Sequence, residues 1–206
     1  WTKYCNRRRP FGSLIGVYMS AQIDLVNKFT NILPKIASES GVYFEHFSMD
    51  GLEEMHRYSI DERLYDFFEF DPFKEIKDTE AYIEKLLQRM SPQSGEKNAM
   101  YWFVRRKNDD RLVGTAALVN LNYARQSIEW GYGIDPAFWG YGYVLQIQEA
   151  LKKFTFEVLD LNRLHGITMV ENERTIQSVL ASGMKHEGTL RDFYCKKSIY
   201  YDGWQY

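Results

Sequence analysis

The residues best suited to chemistry stand in the turn Trp139-Gly140-Tyr141-Gly142-Tyr143, between a strand pattern and a helix pattern. Its glycines allow a tight bend and close approach of backbone to a ligand. The first amides of the helix that follows have no intrahelical acceptor, and they lie at the positive end of its dipole. A turn of this kind holds phosphate. It carries no lysine or arginine, so the backbone would do the holding alone. Two other polar features stand in fixed relation to it. Glu129 lies on the preceding strand, and Asn172 heads a later short helix, three residues before Thr175.

Several elements must position these groups. Ser127–Ile134 reads as a strand, stopped at Asp135-Pro136 because proline cannot donate to a sheet ladder. After the turn, Val144, Ile147, Leu151, Phe154 and Val158 recur at helical spacing. Upstream, residues 42–49 alternate as a strand. Asp50 then caps a helix over 51–58, Asp61 starts a second helical piece over 60–68, and residues 67–73 make an aromatic loop. A helix is expected over 78–90 and a polar loop over 91–98. Strands over 99–106 and 111–122 form a hairpin through residues 107–110. Downstream come a strand over 164–170, a helix over 175–182 ended by Gly183, and a last hairpin of 184–195 with 199–206. The sum is one mixed α/β domain.

Familiar alternatives fail on spacing. A dinucleotide-binding G-x-G-x-x-G would place its third glycine at Pro136 or Leu145. There is no P-loop signature and no G-x-S-x-G. His46, His56, His165 and His186 are scattered, so no metal site is expected.

The local text resembles the GNAT acetyltransferase superfamily, most closely its RimJ/RimL-like branch. The first block of resemblance runs from Gly131-Tyr132-Gly133-Ile134-Asp135-Pro136 through Trp139-Gly140-Tyr141-Gly142-Tyr143. The second is Asn172-Glu173-Arg174-Thr175, then Leu180-Ala181-Ser182-Gly183-Met184, then Glu187-Gly188-Thr189-Leu190-Arg191-Asp192. It covers residues 42–206 and leaves 1–41 as an N-terminal helical extension. The resemblance implies a GNAT acyl-CoA N-acyltransferase fold: a central, mostly antiparallel twisted sheet, splayed at the cofactor site and flanked by helices. It implies acetyl-CoA as donor, with its pyrophosphate on the amides of Trp139, Gly140, Tyr141, Gly142, Tyr143 and Val144. The pantetheine arm would run along Tyr132, Gly133 and Ile134 as an added strand, touching Asn172.

The same resemblance implies direct acyl transfer to a primary amine, with Glu129 as base and a backbone amide near Tyr132 as oxyanion donor. The tyrosine that many relatives use to protonate the leaving thiolate is replaced by Val179, which leaves Thr175 as the hydroxyl for that role. The plainer accounts are a solvent-facing Glu129 and a Thr175 that only starts a helix. Val144 and Ile147 stand where alanines are usual and would crowd the cofactor. The rival function is a non-catalytic acyl-CoA sensor or scaffold in the same fold.

The 206 residues carry a net charge of −2, which argues against general nucleic-acid binding. Two cysteines, Cys5 and Cys195, give no disulfide framework, and no apolar run is long enough to cross a membrane. The basic Arg7-Arg8-Arg9 precedes an interrupted apolar run without a clear cleavage site, so a cytoplasmic location is expected. A helix over 22–36 would pack on the body or on a second subunit, which leaves a homodimer open. Residues 42–90 hold six basic against thirteen acidic side chains. Asp61, Glu62, Asp66, Glu69 and Asp71 cluster there, as a solvated face or as a funnel for a cationic acceptor, a protein N-terminus or a small amine.

Overall fold

The structure is a computed structural model and describes residues 41–91 and 99–206. The helix expected over 22–36 and most of the loop over 91–98 lie outside the described residues.

The first sheet has the order β1-β2-β3-β4-β5. β1 (Val42–His46) pairs antiparallel with β2 (Met100–Arg106), and β2 with β3 (Leu112–Asn122). β3 in turn pairs antiparallel with β4 (Ser127–Ile134). Side chains alternate between faces along a strand, which explains why β2 is apolar at successive positions. Met100, Trp102 and Val104 enter one core; Tyr101 and Phe103 enter another on the opposite face.

Helices cover both faces. On one, α1 (Leu52–Ser59) and α2 (Ile76–Met90) bury Met55, Tyr58, Ile83 and Leu86. On the other, α3 (Tyr143–Lys153) buries Ile147, Ala150 and Leu151, and α4 (Glu173–Ala181) buries Val179.

Local chemistry sets the element starts. Ser48, not Asp50, accepts the first capping bond, from Asp50 N at 3.3 Å, and a 3₁₀ turn (Met49–Gly51) precedes α1. Asp61 does cap the next piece, accepting from Arg63 N at 3.0 Å. That piece is only a 3₁₀ turn, Glu62–Tyr65, because the rings beyond it fold back onto Tyr65 instead of extending one helix face. Asp78 is the third residue of α2, not its cap. Its carboxylate takes the amides of Lys74 and Glu75 at 2.8 and 2.9 Å and closes a capping box. α3 continues into a π turn, Phe154–Val158, which shifts the helical phase. Leu159 is buried in consequence, and Val158, expected on the apolar stripe, is exposed.

The strand expected over 164–170 is two strands. β5 (Arg163–His165) runs parallel to β4 for three pairs, the last being Glu129 with His165. Gly166 then pairs with Tyr206, and β6 (Ile167–Met169) joins a second sheet of order β6-β8-β7. β7 (Gly188–Lys196) and β8 (Ile199–Gln205) form the hairpin of that sheet. From Trp130 onward β4 therefore has no strand partner on its β5 side among the described residues. The wedge between the two sheets is the expected splay. No helix among the described residues is long and apolar enough to cross a membrane.

Candidate active site

The wedge contains a cavity of 320 Å³, bounded by Glu129, Trp130, Tyr132 and Gly133 of β4, Ile167 and Thr168 of β6, and Tyr194 and Tyr206 of the hairpin. Ile134, Trp139, Val144 and Asn172, expected at the cofactor site, line it too, as does Thr175, expected as the proton donor.

The turn is built from its own sequence. Asp135 accepts from Ala137 N at 2.8 Å and Pro136 opens a 3₁₀ turn, so β4 ends where expected. Gly140 and Gly142 have φ of +84° and +76°, the left-handed region that glycine enters without strain. A Cβ added at either would meet nothing within 4 Å, so the front of the turn is open. Gly142 is the N-cap of α3, whose first amides have no intrahelical acceptor. These residues fit a pyrophosphate. The tyrosines differ from each other. Tyr141 is exposed, whereas Tyr143 turns its ring inward onto Phe138, leaving its backbone to the turn. Gly140, Tyr141, Gly142 and Tyr143 lie beyond the cavity lining, at the turn itself.

The turn is not without cations. Trp139 donates Nε1–H to Ile134 O at 3.0 Å, which holds the indole across the end of β4. The guanidinium of Arg174, from the first turn of α4, lies 3.8 Å from the indole centroid. Arg63 stands on the same ring at 6.0 Å. Both arginines line the cavity. The expectation of a cation-free site fails because the charges come from elements distant in sequence. The expected crowding also narrows. Ile147 is fully buried in the core, so only Val144 reaches the cavity.

Glu129 accepts from Asn120 Nδ2 at 2.7 Å. Asn120 sits in a bulge of β3, between the pairs Val119–Glu129 and Asn122–Ser127, with φ of +54°. A bulge re-aims a side chain, and asparagine tolerates the left-handed region better than most residues. His165, beside Glu129 on β5, has its pKa lowered by burial, partly offset by the carboxylate of Glu129. Burial raises the phenols of Tyr194 and Tyr206, and the charge of Glu129 adds to both.

Thr175 is buried, and its Oγ1 lies 2.7 Å from the phenol of Tyr132. Burial raises Tyr132, and the Thr175 hydroxyl offsets part of that. Asn172 caps α4 by accepting from Thr175 N at 3.2 Å. Val179 is fully buried in the core, so the hydroxyl side of α4 facing the cavity is Thr175 and Ser178. Sequence reasoning missed the Tyr132 phenol, Ser178, Arg174 and Arg63 at this site. Arg174 stood within a quoted motif, but nothing in its spacing pointed at Trp139.

Part of the acidic cluster is committed to structure. Asp61 pairs with Arg63 at 2.6 Å, Glu69 accepts Cys195 N at 2.8 Å, and Asp71 lies 3.6 Å from Lys197. Lys196 donates to the carbonyls of Tyr65 and Asp66 at 2.7 and 2.8 Å. Glu69, Asp71 and these two carbonyls thus fasten the β7–β8 hairpin to the aromatic loop.

A sheet splayed beside an open glycine turn that caps a helix offers a place for a phosphorylated cofactor. The family model described as "Acetyltransferase (GNAT) domain" matches residues 42–185. The chain belongs to the GNAT acetyltransferase family, whose members are acetyl-CoA-dependent transferases. It is 26% identical over 117 residues to the Bacillus subtilis (strain 168) protein named Uncharacterized N-acetyltransferase YoaA, an alignment covering 57% of this chain and 66% of that one. Among solved structures it resembles RimL, the ribosomal L7/L12 alpha-N-protein acetyltransferase, with a TM-score of 0.72 at 15% identity over 83% of this chain and 91% of that one. It also resembles spermidine N-acetyltransferase from Vibrio cholerae in complex with CoA and spermine, with a TM-score of 0.68 at 18% identity over 81% of this chain and 94% of that one.

Proposed function

We propose that this chain transfers the acetyl group of acetyl-CoA to a primary amine, with Glu129, Tyr132 and Thr175 carrying the proton traffic. The observation behind this is that a carboxylate and a hydroxyl pair line one cavity at the splay, next to the open glycine turn. The amides at the turn, with Arg174 on Trp139, hold the pyrophosphate. The free edge of β4 at Tyr132, Gly133 and Ile134 pairs with the pantetheine arm.

Glu129 takes a proton from the acceptor ammonium, directly or through water. The amine forms its bond to the thioester carbonyl carbon as the carbon–sulfur bond breaks. The leaving thiolate takes a proton from Thr175, the Tyr132 phenol resupplies Thr175 across 2.7 Å, and the second proton lost by the acetylated nitrogen passes through water to restore the phenol. The product is an N-acetyl amine and CoA. The relatives named for a ribosomal protein N-terminus and for spermidine support an amine acceptor of either kind. The non-catalytic sensor reading is not favoured by these relatives.

The deciding measurement is thiol release from acetyl-CoA in the presence of a broad amine panel, alongside acetyl-CoA binding by calorimetry. Binding together with amine-dependent free CoA is expected. Binding without CoA release from any amine would sink the transferase reading.

A further inference from the structure

A second cavity, of 190 Å³, lies between the first sheet and the α1–α2 side. Tyr65, Phe68, Phe70, Phe73 and Tyr82 form one ring cluster around it, with centroids 5.2 to 6.1 Å apart. No carboxylate, lysine or arginine lines it among the described residues. Its floor is Gly131 and Gly133, where β4 has no side chain, and a Cβ added at Gly131 would meet nothing within 4 Å. The larger cavity shares Gly131, Tyr132 and Gly133 with it, so the two spaces meet where the acetyl group must lie. Two polar atoms stand unsatisfied in the lining: buried Tyr58 Oη and Ser59 Oγ have no hydrogen-bond partner.

We propose that this ring-lined cavity is the acceptor subsite, and that it selects a primary amine carried on a ring-sized apolar group. The inference rests on the acetyltransferase reading above. A cavity of about 150 Å³ lined by apolar side chains holds benzene, so 190 Å³ accommodates one ring and a short linker. Ring faces attract a single ammonium. A polyamine brings further charges into a space without carboxylates, and desolvating them is unfavourable. Of the acidic side chains that would have drawn a polycation, Asp61, Glu69 and Asp71 are tied to Arg63, Cys195 N and Lys197. The apolar amine arrives by one of two routes, as a free arylalkylamine or as the first residue of a peptide.

The experiment compares kcat/KM of the purified chain by thiol release for 2-phenylethylamine, the tripeptide Phe-Ala-Ala with a free N-terminus, and spermidine. At least one of the first two is expected to exceed spermidine by about tenfold or more, and the faster of them identifies the route. Phe73→Ala removes a ring that lines only the smaller cavity. It is expected to raise KM for the preferred amine about tenfold, with acetyl-CoA affinity near the parent. Spermidine turned over as well as the apolar amines, or an unchanged KM in Phe73→Ala, overturns the subsite and leaves the transferase reading standing. Acetyl-CoA binding without turnover of any acceptor overturns both. Should Phe73→Ala fail to fold, the ranking of acceptors by the parent chain decides.

Discussion

Glu129 is the residue on which turnover should depend most. Its carboxylate is held by Asn120 at 2.7 Å, and a glutamine in its place keeps the shape but not the basicity. Glu129→Gln is expected to lower kcat by about 100-fold or more, in the range of general-base losses, while acetyl-CoA affinity stays near the parent. Steady-state kinetics beside calorimetry checks this, and an unchanged kcat near neutral pH would retire Glu129 as base. Thr175 was legible in the sequence because it follows Asn172 at a fixed interval, and the helix cap observed there explains the interval. Its phenolic neighbour was not legible. Tyr132 had a place in the motif as backbone, and only the packing of α4 against β4 shows that its hydroxyl meets Thr175.

At the scale of elements, the β4–turn–α3 unit is the most local in origin. Pro136 ends the strand, Gly140 and Gly142 make the bend, and the amides of α3 face the opening. Gly142 takes φ of +76°, a conformation that a β-branched residue reaches only with strain. Gly142→Val also places carbon in the open front of the turn. It is expected to weaken acetyl-CoA binding by about tenfold or more and to cost about 1–2 kcal/mol of stability. Calorimetric affinity and a denaturant melt measure the two effects, and unchanged affinity would remove phosphate from this turn. The elements read least well were those whose ends depend on distant partners. The helix expected over 60–68 shrank to one 3₁₀ turn because aromatic side chains packed on Tyr65. The strand expected over 164–170 broke at Gly166, where pairing passes from β4 to β8.

At the scale of the whole molecule, two sheets meet at a seam, and His165 lies half-buried in it. Burial holds its imidazole below the ordinary 6.5. The unfolded chain therefore binds a proton there at a higher pH than the folded one does. The resulting stability is complete above about pH 6.5 and is lost as pH falls through the lowered value. His165→Gln should flatten that part of the profile. Melting temperatures of parent and variant between about pH 8 and pH 5 test it, and parallel profiles would exclude His165 as a source.

Periodicity and local motifs determined the mixed α/β class, the extent of β4 and the glycine turn, and resemblance of the motif text pointed to the family, because these depend on residues close in the chain. Tertiary structure decided which charges and hydroxyls share the site. Arg174 reaches Trp139 from 35 positions away, Tyr132 meets Thr175 from 43, and Glu69 of the acidic block holds a hairpin more than 120 positions downstream. No local spacing encodes such meetings, since they follow from how the sheets and helices pack. The turn first read as a backbone-only phosphate site is, once folded, an open glycine bend beside a tryptophan capped by arginine.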